Sequence, residues 1–125
     1  GRFEEGNILA QYSLKSYIEA GLPDKALNVI TSKKAVASTL VNIEKYSEAL
    51  NYFSAIKTTI DSDEFLKKYF GVLGDLDEVV ALVFTKNFQK AETVAKLIFE
   101  SEKSKVGSNH PRTVLAQAFY AVTLQ

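Results

Sequence analysis

The side chains best suited to chemistry are His110 in "GSNHPRT" and two carboxylate runs, Asp61, Asp63 and Glu64 in "DSDEFLKKYFG" and Asp75, Asp77 and Glu78 in "GVLGDLDE". An imidazole can relay a proton or bind a metal, and paired carboxylates can do the same. Each role needs company. His110 is the sole histidine and the chain has no cysteine, so the further ligands of a zinc site and the partner of a nucleophile–base pair are missing. "DSDEFLKKYFG" lacks the alternate oxygen ligands, central glycine and closing glutamate of a calcium loop, and "GVLGDLDE" contains neither G-x-G-x-x-G nor Gly-Lys-Ser/Thr. Structural roles fit better. Both acidic runs fall where helices begin, and there Asp caps free backbone N–H groups and negative charge complements the helix dipole. His110 stands beside Pro111 at another helix start and reads as a structural cap or an exposed side chain; Ser108 or Asn109 would accept the first N–H groups there, and an anion could bind weakly. No catalytic residue, metal or cofactor is expected, and the chain reads as a non-enzyme.

Composition narrows the classes further. With 125 residues, 46% of them apolar, the chain can bury a core as a single domain over 1–125. Fifteen basic and fifteen acidic residues cancel, which argues against polyanion binding. Residues 61–78 hold six acidic side chains and two lysines, whereas 86–112 hold six basic and three acidic ones. This unevenness suits a solvated face with helix-compatible pairs. The basic residues are lysines apart from Arg2 and Arg112, and arginine is the residue that grips phosphate with two bonds. The absence of cysteine removes disulfides and thiol chemistry. The longest apolar run, "VVALVF" at 79–84, is far below the roughly 20 residues of a membrane span. "GRFEEGNILAQ" has no signal-peptide pattern. A soluble, cytoplasmic protein without membrane insertion is expected. The lack of methionine, including at position 1, and an end at "AVTLQ" within an apolar pattern suggest an excised part of a longer protein.

The elements that carry these residues are helices, because apolar residues recur three and four apart with little alternation. Eight segments are predicted. The first, 7–20, carries Ala10, Leu14, Tyr17 and Ile18 and stops at Gly21; the second starts at Pro23 and runs through Ala26, Leu27 and Ile30 to 32. The third covers 33–44, and the fourth starts from Ser47 as N-cap and runs to 59. The fifth opens at Asp61–Asp63, holds Phe65, Leu66, Tyr69, Phe70 and Leu73, and ends at Gly74. Asp75 opens the sixth, "FQKAETVAKLIFESEKSKV" forms the seventh up to Gly107, and the eighth follows "SNHP" to the chain end. Tyr12, Tyr52, Phe84 and Phe99 fall at helical spacings and are assigned to the core.

Several helix starts share a shape. "GLPDKALNVI", "EKYSEALNYF" and "KNFQKAETVA" place Ala26, Ala49 and Ala91 three residues after Pro23, Tyr46 and Phe88, and "GDLDEVVALVF" keeps the shape with Leu76 and Val79. A small side chain lets two helices cross closely while the turn residue plugs the open end. "KKAVASTLVNIEKYSEALNYFSAIKTTI" resembles a tetratricopeptide repeat unit, with Ala37 and Leu40 in its first helix, Tyr46 at the turn and Ala49, Phe53 and Ile56 in its second. "HPRTVLAQAFYAV" resembles the first helix of the variant found in kinesin light chains. The resemblance implies an all-α stack of antiparallel helical hairpins, a tetratricopeptide-like α-solenoid, although Ala26 to Ala49 and Ala49 to Ala91 are unequal steps. It also implies a protein–protein interaction scaffold with a concave groove for a partner: another protein or peptide segment, or further repeats of the same chain. The polar rows Gln11, Lys15, Glu19 and Lys34, Ser38, Asn42 are the candidate groove residues. "SYIEAGLPDKALNVI" is equally similar to pentatricopeptide repeats, which would imply a single-stranded RNA-binding module instead.

Overall fold

A computed structural model of the chain describes residues 1–71 and 74–125. Those residues form seven α-helices and no strand: α1 Arg2–Glu19, α2 Leu27–Asn42, α3 Tyr46–Asp61, α4 Glu64–Phe70, α5 Leu76–Phe84, α6 Phe88–Val106 and α7 Pro111–Thr123. They fall into two units, Gly1–Gly71 with α1 to α4 and Val72–Gln125 with α5 to α7. The all-helical class matches the periodicity.

Local chemistry accounts for most helix ends. α1 stops at Gly21, whose φ of 87° is the left-handed conformation that side chains resist. The N–H of Gly21 donates to the Ile18 carbonyl and that of Leu22 to the Tyr17 carbonyl, a Schellman closure that satisfies the last carbonyls. Asp63 and Asp75 cap α4 and α5, accepting from the N–H of Leu66 at 3.1 Å and of Asp77 at 2.8 Å. α4 ends at Phe70, with Gly71 at φ 70°; the predicted extension through Leu73 lies outside the described residues. At α7, His110 itself is the cap: its Nδ1 accepts from the Arg112 N–H at 3.1 Å, with Pro111 in the first turn. The structural reading of His110 holds, and the acceptor is His110 in place of Ser108 or Asn109.

Three local expectations are overturned. The segments predicted at 23–32 and 33–44 are one continuous helix, α2, and Pro23 lies in the turn before it, where the Ala26 N–H donates to the Pro23 carbonyl at 3.0 Å. Proline suits a helix's first turn and an ordinary turn alike. What decides is the core, to which α2 contributes Val29, Ile30, Val36, Ala37, Leu40 and Val41 over almost its whole length. Ala26 is therefore a half-buried N-cap and not a crossing residue. Ser47 is an exposed residue inside α3, whose N-cap is Lys45.

The α2–α3 and α5–α6 connections are the same turn. Glu44 has φ 63° and Lys86, 42 positions later, φ 64°. In the first turn the Glu44 N–H donates to Val41 and the Lys45 N–H to Leu40; in the second Lys86 donates to Val83 and Asn87 to Leu82. Leu40, Val41 and Ala49 thus have Leu82, Val83 and Ala91 as counterparts. Ala49 and Ala91 are fully buried, each on a helix that packs on the one before the turn. The turn aromatics differ: Tyr46 is half-buried and Phe88 is 56% exposed.

Candidate functional site

Within Gly1–Gly71, α1 and α3 both pack on α2 and not on each other, which leaves a groove between them. α1 buries only Asn7 and Leu14. Two residues are a narrow attachment for an eighteen-residue helix, so a wide flank stays open. Ile8 is 66%, Tyr12 70% and Ile18 51% exposed. Together with Gln11, Leu14, Lys15, Glu19 and Tyr52 of α3 they line a groove of about 560 Å³. Tyr12 was expected in the core, and the structure corrects that; Tyr52 is half-buried at the groove's far side.

Polar contacts hold the groove's edge. The Asn7 amide donates to Thr39 Oγ1 at 3.0 Å and accepts from Gln11 Nε2 at 2.8 Å, while Thr39 Oγ1 donates to the Val36 carbonyl at 2.8 Å. This chain fixes the rotation of α1 on α2, since a buried amide without such partners would cost about 1 to 3 kcal/mol. Lys15 and Glu19 pair across one turn at 3.8 Å. Both are solvent-exposed, so the pair adds little stability, yet it cancels charge along the rim. The resulting surface is apolar with a neutral edge.

The six residues of the two predicted rows do not line one groove. Gln11, Lys15 and Glu19 do; Lys34, Ser38 and Asn42 are not among its lining residues. Lys34 Nζ lies 5.2 Å from the Phe70 ring centroid, a cation–π contact with the end of α4. Ser38 is half-buried, and Asn42 is exposed at the last position of α2. Reading polar residues four apart finds a helix's wet stripe. The apolar members Ile8, Tyr12 and Ile18 were absent from that list, although their spacing of four and six places them on adjoining faces of α1.

Several of the side chains that invited catalytic readings have structural contacts. Asp61 and Glu64 flank Lys67 at 3.8 and 3.2 Å, and the Glu64 contact first, then the two negative charges, raise the lysine above its ordinary pKa. Asp63, besides capping α4, lies 3.7 Å from Lys25. In Val72–Gln125 a smaller cleft of about 300 Å³ is lined by Asp75, Glu102 and Arg112 among others, with Arg112 Nε 3.3 Å from Glu102 Oε2. Phe99 is half-buried and stacks on Tyr120 at 6.1 Å, whereas Phe84, also assigned to the core, is 64% exposed. Among the described residues no group of three or more His, Asp or Glu side chains could hold a metal ion, and no helix is long and apolar enough to cross a membrane. Comparison with known proteins finds no family model, no curated protein and no solved structure that matches the chain.

Proposed function

We propose that the chain is a non-enzymatic interaction scaffold of tetratricopeptide-like helical hairpins, which receives a segment of another protein in the groove between α1 and α3. The observation that carries this reading is the exposure of Ile8, Tyr12 and Ile18 beside Tyr52, behind a rim whose Lys15 and Glu19 charges cancel. Exposed apolar side chains grouped around a concavity mark recognition surfaces. From Ile8 to Glu19 the groove follows α1 for roughly 16 Å at 1.5 Å per residue, the length of about three turns of a ligand helix. A partner helix with apolar residues at i, i+4 and i+7 would fill it by the helix-in-groove mode. The turn shared by the α2–α3 and α5–α6 pairs supports a repeat origin, since solenoid arrays are built from one such unit reused.

Affinity capture with the 125-residue chain as bait, followed by mass spectrometry, tests the reading. A captured partner should be lost from an Ile8→Asp/Tyr12→Ala variant that keeps its helical circular dichroism, and retained by Lys34→Glu/Asn42→Ala, which alters the row outside the groove. Retention by the first variant overturns the assignment of the groove.

A further inference from the structure

We propose that the outer face of α7 is a homodimer interface, on which a second copy lays the same helix antiparallel so that the two helices cross at Ala118. α7 carries one charged residue, Arg112, in thirteen. It buries Thr113 and Ala116, and the opposite face is also apolar: Val114, Leu115 and Val122 are 52%, 51% and 60% exposed, with Ala118 and Ala121 exposed between them. An apolar face on the side of a helix away from its own packing is ordinarily covered by something else.

The apolar surface does not stop at the helix. Val122 also lines a cleft of about 130 Å³ with Phe119 of α7 and Val80, Val83 and Phe84 of α5. Counting the exposed fractions of these side chains, with a large aromatic worth about 200 Å², the face offers on the order of 500 Å² per copy. A pair would bury roughly 1,000 Å², the lower bound for a specific interface and that of a weak, concentration-dependent dimer.

The sequence of the face matches itself. In an antiparallel pair crossing at Ala118, Val114 meets Val122 of the second copy, Leu115 meets Ala121, and Ala118 meets Ala118. Leu115 therefore opposes a small residue, Val opposes Val, and the crossing point is the residue that allows the closest approach. Such reciprocity is the requirement of a two-fold interface, where each residue finds its contact twice. No charge lies at the five positions, so self-pairing brings no like charges together, and antiparallel helices oppose their dipoles.

The chain has no cysteine, so single cysteines report the geometry directly. Sedimentation of the whole chain from low to high micromolar concentration should show a monomer–dimer equilibrium that Ala118→Glu shifts wholly to monomer, with helical circular dichroism unchanged. Under mild oxidation Ala118→Cys should cross-link to itself at least about tenfold faster than Lys90→Cys on the exposed side of α6, because dimerisation raises the effective thiol concentration. Val114→Cys mixed with Val122→Cys should cross-link faster than either alone. A chain that stays monomeric throughout, equal cross-linking at positions 118 and 90, or loss of another protein's binding in Ala118→Glu with no dimer in the parent overturns the proposal.

Discussion

Ala49→Leu places three extra carbons at a fully buried position, in a stripe that continues through Phe53 at 3% and Ile56 at 5% exposure. If room were free, each added methylene would contribute about 0.8 kcal/mol of burial. Interiors packed at a density near 0.74 leave no such room. The leucine must then push α3 from α2, toward the wider end of the 8 to 10 Å range of helix separations, and loosen the contacts of the whole stripe. Overpacking of this kind costs about 1 to 3 kcal/mol. Urea unfolding followed by circular dichroism reads the loss: with a slope of about 1 to 3 kcal/mol per molar, the midpoint should fall by roughly 1 M. Ala55→Leu, on the exposed side of the same helix, should change stability by less than about 0.5 kcal/mol. Ala91→Leu, the counterpart after the second copy of the turn, should behave like Ala49→Leu. If Ala49→Leu proves indistinguishable from Ala55→Leu, the crossing geometry is refuted; a loss at Ala49 alone refutes the equivalence of the two turns.

Gly21→Ala should cost about 1 kcal/mol through backbone strain alone, because a Cβ there meets nothing within 4 Å; thermal melting measures it. Glu44→Gly and Lys86→Gly should act the other way, by up to about 1 kcal/mol each, as the left-handed penalty of about 1 to 2 kcal/mol is relieved and partly offset by glycine's entropy; a fall in urea midpoint for both would count against the shared turn. Thr113→Val should cost about 1 to 2 kcal/mol, since Thr113 Oγ1 donates to the Gly107 carbonyl at 2.7 Å in a fully buried position; an unchanged melting curve would show that this bond does not seat α7. In a double-mutant cycle, Asn7→Ala and Thr39→Val should couple by about 0.5 to 1.5 kcal/mol, and strict additivity would remove their hydrogen bond from the account of how α1 is held.

Helix termini were legible where one residue's chemistry is sufficient. Gly21, Asp63 and Asp75 work within a few residues of themselves, as a left-handed stop and as caps. Ala49 and Ala91 were legible as small residues on buried helix faces, while Ala26, identical in local pattern, is a cap. Pro23 suits a helix start by local preference, which is all that a turn dipeptide exposes and which does not encode that α2 is one rod packed by α1 and α3. The non-glycine left-handed residues Glu44 and Lys86 left no local mark, since packing of the flanking helices holds them there. The groove was half legible: its polar rim Gln11, Lys15, Glu19 appeared as a row, its apolar wall did not.

The sequence by itself determined that the described residues are helical and, at Gly21, Asp63, Asp75 and Gly107, where a helix stops or starts. Only the tertiary structure decided which apolar faces are covered. Tyr12 and Phe84 have the same helical spacing as buried Phe53, yet are 70% and 64% exposed. Periodicity is a property of one helix and groups side chains onto a face, whereas burial depends on whether a second helix arrives to meet that face. The open faces of α1 and α7, on which recognition is proposed, are faces that no described helix of the same unit covers.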